Sequence, residues 1–568
     1  MYIDTVPNRS SRPAVLLRES RRQGKRTVKK TLANMTDWPS EVVEAIRLAL
    51  QGEMLVPKEA LFAIERSLPH GHVQAVLGTI RQLGLDEMLS SKRCRERDLV
   101  VAMLVQRLVG PCSKLATTRE WHDTTLAQEL GVEDAGEDEL YAALDWLLER
   151  QERIENKLAK KHLHEGAVVL YDLTSSSYYG RTCPLAVYGN NRDGTKEPCI
   201  AYGLLADRQG RPVSVDVYEG NTGDPTTVPD QVDKLRARFG LTRVVLVGDR
   251  GMLTDAQIDA LRQYPGLGWI SALRSEAIRD LVESQALQLS LFDTHNLAEI
   301  TSPDFPGERL MACYNPLLAQ DRKRTRQELL DATDKRLQKI AAQVRRRTNK
   351  PLKADEIGVK VGKVINHYKM GKHFTLTIED NRFVFERNEE RIAQEASLDG
   401  IYVVRTCEAR KDFSKEDTVR TYKSLSQVEQ AFRCLKGLDI RVRPIHHRTA
   451  DHVCAHIFLC MLAYYVEWHM RKALAPILFE DEELDKARNT RDPVAKAEPS
   501  PCVKQKKTTH TTTDGWPVHS FQSLMKTLGT RCRNTCRAQS GKAHATFYEL
   551  TETTPLQAHA FRLLGLQA

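Results

Sequence analysis

Two short apolar runs, one carrying an aspartate near its end and one closing on an aspartate, restrict this chain more than any other feature of its sequence. The first is Ala167-Val168-Val169-Leu170-Tyr171-Asp172-Leu173-Thr174, bounded by Gly166 and a serine cluster. The second is Arg243-Val244-Val245-Leu246-Val247-Gly248-Asp249. Unbroken apolar, β-prone runs suit strands buried on both faces, and such strands need a layer above and below their sheet. Between them, segments 199–206 and 212–218 flank the turn Asp207-Arg208-Gln209-Gly210, which reads as a hairpin. A helix over 226–239 leads into the second run; a helix over 255–264 and a strand over 268–272 follow it. The order β-β-β-α-β-α-β predicts an α/β fold, with three antiparallel strands and then crossovers. Each aspartate then lies near the carboxyl end of a strand, where open α/β sheets place their ligands. The competing reading of each is a turn former or a helix cap.

The chain has 568 residues, enough for three or four domains at roughly 150 residues each. A hydrophobic content of 41% excludes wholesale disorder. The longest apolar run, around 457–466, is about half of the ~20 residues a membrane span needs. The N-terminus does not read as a secretory signal. Twelve unpatterned cysteines then suggest reduced thiols and a cytoplasmic location. Cys532-x3-Cys536 lacks the second ligand pair of a zinc finger.

The net charge of +9 is unevenly spread. Residues 1–33 carry nine Lys/Arg against two acids, and residues 486–546 carry twelve against three. Basic ends on a slightly acidic body suit a protein that grips a polyanion, or else two solvated tails. The boundaries expected are a basic arm over 1–37, a helical domain over 38–165, a first core segment over 166–275, an insertion over 276–398, a second core segment over 399–475, and a basic C-terminal region over 476–568. Within them, helices are expected at 73–83, 96–109 and 139–162, with Ser40 as an N-cap ahead of the first of the helical stretches. A long charged helix over 321–347 carries Leu330, Leu337, Ile340 and Val344 on one stripe. A hairpin turns at Asp380-Asn381, a strand covers 401–406, and 480–515 reads as a linker.

A third carboxylate joins the two aspartates. If 422–438 is one helix, steps of seven residues place Tyr422, Glu429 and Lys436 on one stripe, and Leu425, Val428, Phe432 and Leu435 on a core-facing stripe beside it. Glu429 then borders the core and can point along the sheet edge. Alternatively it is a surface residue paired with Arg433, worth a few tenths of a kcal/mol. Asp172, Asp249 and Glu429 together could hold two divalent cations, and hard oxygen ligands favour magnesium or manganese. Two such ions serve in-line phosphoryl transfer. Lys436 and Tyr422 could then contact phosphates of the same substrate. His446 and His447 read as loop residues and His456, beside Cys454 and Cys460, as a core histidine. Asn221 and Asp224 lie in a loop where Asp224-Pro225 could cap the next helix.

Tyr422-x2-Leu425-x3-Glu429-x6-Lys436 resembles the Tyr-x2-Arg-x3-Glu-x6-Lys signature of bacterial insertion-sequence transposases of the DDE type. Leu170 to Thr174 resembles their first-aspartate strand, Val247 to Met252 their second, and Glu219-Gly220-Asn221-Thr222-Gly223-Asp224 their intervening loop. Arg443-Pro444-Ile445-His446-His447 is similar to a later family motif. The resemblance covers 165–275 and 400–475 and implies an RNase H-like mixed-sheet core interrupted by an insertion subdomain. It also implies catalytic and metal-binding roles for Asp172, Asp249 and Glu429, with two Mg²⁺ or Mn²⁺ ions, and DNA contacts from Tyr422, Arg433 and Lys436. The implied activity is cleavage at insertion-sequence ends and strand transfer into target DNA. The implied partners are double-stranded DNA, as terminal inverted repeats and target, and a second copy in a paired-end complex. The implied setting is a bacterial cytoplasm, at the nucleoid. A nuclease without strand transfer and an inactive end-binding protein are the rival readings. Leu425 departs from the family's Arg and forfeits one guanidinium–phosphate contact, so the resemblance leaves open whether cleavage follows the DNA-hairpin route used by some relatives. Trp269 precedes the insertion, and the sequence assigns no residue to the role of the family's insertion-domain aromatic that stabilises a flipped base.

Overall fold

The computed structural model describes residues 1–8, 12–24, 26–53, 62–293, 295–495, 498–538 and 546–567. Arg9, Lys25, Lys496 and Lys542, counted above among the basic residues, lie outside them. The chain divides into two compact units, residues 1–69 with 531–552, and residues 70–530 with 553–568.

The first unit opens with β1 (Tyr2–Val6), β2 (Ala14–Gln23) and β3 (Arg26–Asn34), an antiparallel sheet in that order. The basic arm is thus extended, as its composition suggests, but its strands pair with one another. The Ser40–Leu50 helix follows; Pro39, not Ser40, occupies its cap position, and Ser40 is its first helical residue. A strand, β4 (Phe62–Pro69), then interrupts the stretch read as wholly helical.

In the second unit, helices at Gly71–Gln82, Arg95–Val109, Glu137–Leu148 and Gln151–His162 cover the expected periodic segments. The next three strands are β5 (Ala167–Ser177), β6 (Cys199–Asp207) and β7 (Pro212–Glu219). The expected helix over 226–239 is broken into a 3-10 turn, a short α-helix and a π turn. β8 (Val244–Val247), the Asp255–Leu261 helix and β9 (Leu267–Ala272) complete the series. Counted from β5, the five strands lie in the order 3-2-1-4-5; β5, β6 and β7 are antiparallel, and β8 and β9 run parallel to β5. This arrangement is consistent with an RNase H-like core.

The segment after β9 does not all stand apart from that sheet. β10 (Leu297–Ile300) and β11 (Arg309–Tyr314) lie beyond its β9 edge and, with one later strand between them and β9, make eight strands in all. The Pro316–Arg346 helix then leaves the sheet, capped by the Asn315 side chain. With the Ala354–Tyr368 helix and the hairpin β12 (Phe374–Glu379) and β13 (Arg382–Arg387), it encloses a separate apolar core. All four leucine, isoleucine and valine positions of the expected stripe are buried there, and Asn381 takes the left-handed conformation (φ 57°) that the hairpin turn needs. β14 (Ile401–Thr406) returns between β11 and β9.

The Ala450–Leu474 helix is the spine of this unit. It packs on β7 and on the Arg95–Val109 and Glu137–Leu148 helices, so the helical segment and the sheet share one apolar core. With the turn through Ile477 it is, among the described residues, the one unbroken helix long and apolar enough to cross a membrane, and 83% of its most apolar window is buried inside the fold. The contiguous apolar run around 457–466 is the middle of this helix. Residues 480–515 are not a bare linker either. The Pro501–Thr509 helix buries Lys506, whose Nζ donates to the carbonyl of Ala475 (2.7 Å) and to Glu482 (2.6 Å). Finally β15 (Cys532–Ala538) and β16 (Thr546–Leu550) belong to the first unit, where β15 lies between β16 and β4.

Candidate active site

β5 is buried at every position but one, and that position is Asp172. In the parallel pairing of β5 with β8, Leu170 stands opposite Val247. Two residues further along each chain come Asp172 and Asp249. Asp172 is the sixth of the eleven residues of β5, so it lies mid-strand and not near the strand's end as expected, while Asp249 lies two residues past the end of β8. Asp249 closes the loop beyond β8, where its Oδ1 accepts from the amides of Gly251 (3.0 Å) and Met252 (2.8 Å). Asp172 accepts from the Leu173 amide (2.8 Å).

The third carboxylate arrives on a helix shorter than the spacing suggests. Lys415–Lys423 and Ser426–Lys436 are two helices with a break at Ser424 and Leu425. Tyr422 therefore belongs to the helix before Glu429 and not to its stripe. Val428, Phe432 and Leu435 are buried as expected, and Phe432 meets the Tyr202 ring edge-on at 6.0 Å. This seats the Ser426–Lys436 helix across β5 and β6. Leu425 is half-buried against the same core, which is why an apolar residue is tolerated at the corner.

Asp172, Asp249 and Glu429 line one cleft of about 710 Å³, together with Arg192, Asp193, Arg433, Lys436 and Arg443. Burial, and then the charge of Asp249, push the Asp172 carboxyl up to about 7, against the opposing pull of Arg192. Burial pushes the Tyr422 phenol up to about 12, with Asp249 next and with Glu429 and Asp172 adding to it. Although Tyr422 sits on another helix, its hydroxyl thus feels all three acids. The donor set is of hard carboxylate oxygens, and burial with the charge of Asp249 makes the Asp172 carboxylate costly to ionise. A divalent cation there would relieve that penalty, so the residues fit magnesium or manganese.

The remaining expected contacts differ in detail. Glu429 and Arg433 do form the i,i+4 pair, but at 3.9 Å with both side chains about two-thirds exposed, so it is weak and leaves Glu429 available to the cleft. Lys436 is not a free cation. Its Nζ donates to the Ser175 carbonyl (2.5 Å) and pairs with Asp193 (3.2 Å). Asp224 does not cap the next helix; it pairs with Arg192 at 2.5 Å. His456 is a core histidine bonded to the Val442 carbonyl (2.9 Å), and the His447 ring lies beside it, tilted by 47°. Trp269 is fully buried in β9.

Asp193 is the residue that sequence reasoning missed. Its Oδ2 accepts from the Ser177 amide (2.8 Å), and its Oδ1 meets Lys436 and, at 2.7 Å, Arg443. Burial pushes this carboxyl up, but the Ser177 amide and the two cations outweigh it and hold it below the usual range. Asp193 therefore ties the far end of β5 to the Glu429 helix. The only sequence signal was the charged pair Arg192-Asp193 ahead of Gly194, in a loop with no periodicity to give it weight.

The family model described as the transposase DDE domain matches residues 166–466, just over half of the chain. The chain belongs to that family. The matched span of this transposase begins just before β5 and ends inside the Ala450–Leu474 helix, so it contains every residue that lines the cleft. No curated protein matches the chain. A second gathering of ligand-type side chains, Cys434, Asp439 and Glu467, is found among the described residues. Arg471 already bonds to Glu467 (2.5 Å) and Asp439 (2.9 Å) and supplies the positive charge there.

Proposed function

We propose that this DDE transposase cuts DNA at the ends of an insertion sequence and joins the freed ends to target DNA, with Asp172, Asp249 and Glu429 as its catalytic carboxylates. The observation that carries the reading is one cleft lined by all three carboxylates, one on β5, one just past β8 and one on the Ser426–Lys436 helix. All three would hold the divalent ions. When bound, magnesium or manganese would supply activation of the attacking oxygen and stabilisation of the leaving one in an in-line phosphoryl transfer.

The chain's own residues have separable parts. The half-buried strand position of Asp172 fixes one carboxylate, and the amide-bonded loop of Asp249 fixes the other. Tyr422, which feels the charge of all three acids though it does not line the cleft, would donate its hydroxyl to a phosphate oxygen near the cleavage site. Arg433, largely exposed at the cleft rim, would pair with the phosphate backbone. Lys436 would act with Arg443 as one cationic wall set by Asp193. Joining two ends calls for two active sites, so a homodimer in a paired-end complex, working in the bacterial cytoplasm at the nucleoid, belongs to the same reading. So does a division of labour in which the basic terminal regions and the helical segment hold the element ends.

The test uses the full chain, Mg²⁺ or Mn²⁺, and duplexes carrying the inverted repeats that flank its coding region. Wild type should nick at the repeat boundary and join a pre-cut 3′-hydroxyl end to a plasmid. Asp172→Ala, Asp249→Ala and Glu429→Ala should each lose both steps while still binding the repeat. Cleavage without joining would reassign the chain as a nuclease, and full activity in Asp172→Ala would overturn the catalytic assignment.

A further inference from the structure

The outer end of the β2–β3 hairpin has two exposed faces, whereas Ala14–Glu19 nearer its base are half-buried. Residues 20–23 and 26–32 are all exposed, at the end of the hairpin that carries the Gly24 turn (φ 58°). Val28 and Leu32 are 48% and 43% exposed. A hairpin of this kind is not held by burial, and its side chains are free to serve an outside partner.

Six cations lie on the two strands, Arg18, Arg21, Arg22, Arg26, Lys29 and Lys30, against one acid, Glu19. The register sorts them. Arg22 faces Thr27, Ser20 faces Lys29 and Arg18 faces Thr31, so Arg18, Arg22 and Lys29 share one face. Arg21 faces Val28, Gln23 faces Arg26 and Glu19 faces Lys30, so Arg21, Arg26 and Lys30 share the other. Arg18 pairs with Asp4, Arg21 pairs with Glu19 and Lys29 lies over the Tyr2 ring. Arg22, Arg26 and Lys30 have no partner among the described residues.

A sheet that lay flat on an anionic surface would carry its charge on one face. Cations on both faces of a two-stranded ribbon suit a partner with an anionic wall on each side. The major groove of duplex DNA is such a partner: about 12 Å wide and 8.5 Å deep, it admits a two-stranded ribbon, whereas the minor groove is half as wide. The exposed end, four residues long on β2, reaches roughly 13 Å, enough to span that depth. We infer that the β2–β3 ribbon inserts into the major groove of duplex DNA, with Arg22 toward one phosphate wall and Arg26 and Lys30 toward the other. The choice of DNA as the polyanion rests on the transposase reading; the ribbon geometry does not.

The experiment measures binding of the full chain to a duplex of arbitrary sequence, and to one of its strands alone, over a range of salt. Changing Arg22→Gln, Arg26→Gln and Lys30→Gln together should flatten the slope of log K against log[salt] on the duplex by about 2.7, the share of three phosphate contacts. The change on the single strand should be clearly smaller. Methylation of guanine N7, which lies in the major groove, should interfere with binding by wild type and not by the triple variant. An unchanged slope, an equal loss on both probes, or interference confined to minor-groove ligands would overturn the inference. Unfolding is controlled by the thermal midpoint; should the triple variant shift it, Arg22→Gln alone, at an unpartnered and exposed site, should still cost about 0.9 in slope. Metal-dependent end cleavage, assayed separately with Asp172→Ala as its control, tells which reading failed. An unchanged slope with cleavage intact removes the ribbon and leaves the transposase.

Discussion

Two antiparallel pairs of almost equal length do opposite things in this molecule. β5 and β6 run for 11 and 9 residues and bury all but Asp172. β2 and β3 run for 10 and 9 residues and bury none. In the first pair the backbone is fixed by packing on both faces, and the single gap in that packing is where a carboxylate faces the cleft. In the second pair the outer ends of the strands are held by the ladder and the turn, with no buried face. Metal-assisted chemistry needs oxygen atoms held to a fraction of an ångström, so its ligands belong on buried strands. Gripping a phosphate backbone needs reach and charge, and tolerates movement, so its cations can sit on an exposed ribbon.

The contrast can be broken most directly by activity. Asp172→Ala should lower end cleavage roughly 10³-fold or more, since carboxylates that act as a unit fail as a unit. The triple ribbon variant should instead raise the protein concentration needed, with the single-turnover rate at saturation kept. A saturating rate that fell equally in both would erase the distinction between placing and gripping.

Stability should divide the same way. Leu170→Ala, at a fully buried site of β5, should cost about 2–5 kcal/mol in urea unfolding. Asp193→Ala should cost about 3 kcal/mol by leaving Lys436 without its buried partner, and should slow cleavage by loosening the Glu429 helix. Thermal unfolding against pH sharpens the core side further. Burial holds His72 down to about 4, with His70 adding to it, and burial holds His447 down to about 3. Both are neutral in the fold, while the unfolded chain binds their protons near 6.5. Their contribution is therefore complete above pH 6.5, and the midpoint should fall as pH drops from 6.5 toward 4. A midpoint flat across that window would mean these rings are hydrated. The smallest effect should come from Val28→Ala on the ribbon, within about 0.5 kcal/mol of wild type. A large loss there would show that the ribbon carries a packed face after all.

Where the sequence was informative, it was through patterns that one local period imposes. The apolar runs before Asp172 and Asp249 become β5 and β8 because nothing but a doubly covered sheet can hide them. Leu330, Leu337, Ile340 and Val344 mark one face of the Pro316–Arg346 helix because 3.6 residues per turn repeat for as long as the helix does. The same rule misled at Tyr422. Its seven-residue step to Glu429 is the right period for one helix, but the chain turns at Ser424 and Leu425, and no propensity in that stretch announces a break. The arm over 1–33 has a composition that fits disorder, yet its alternation suffices for a ladder once a turn at Gly24 brings β2 and β3 together.

By itself, then, the sequence determined which residues could be strands, which acids stood in or just past them, and that the chain ends were basic. All of these are properties of a few consecutive side chains. Tertiary structure alone decided that Leu170 stands beside Val247, that Lys436 is held by Asp193, and that β10 and β11 continue the sheet that β5 begins. Those depend on which distant segments bury one another, and burial is shared by the whole chain and written in no single stretch of it.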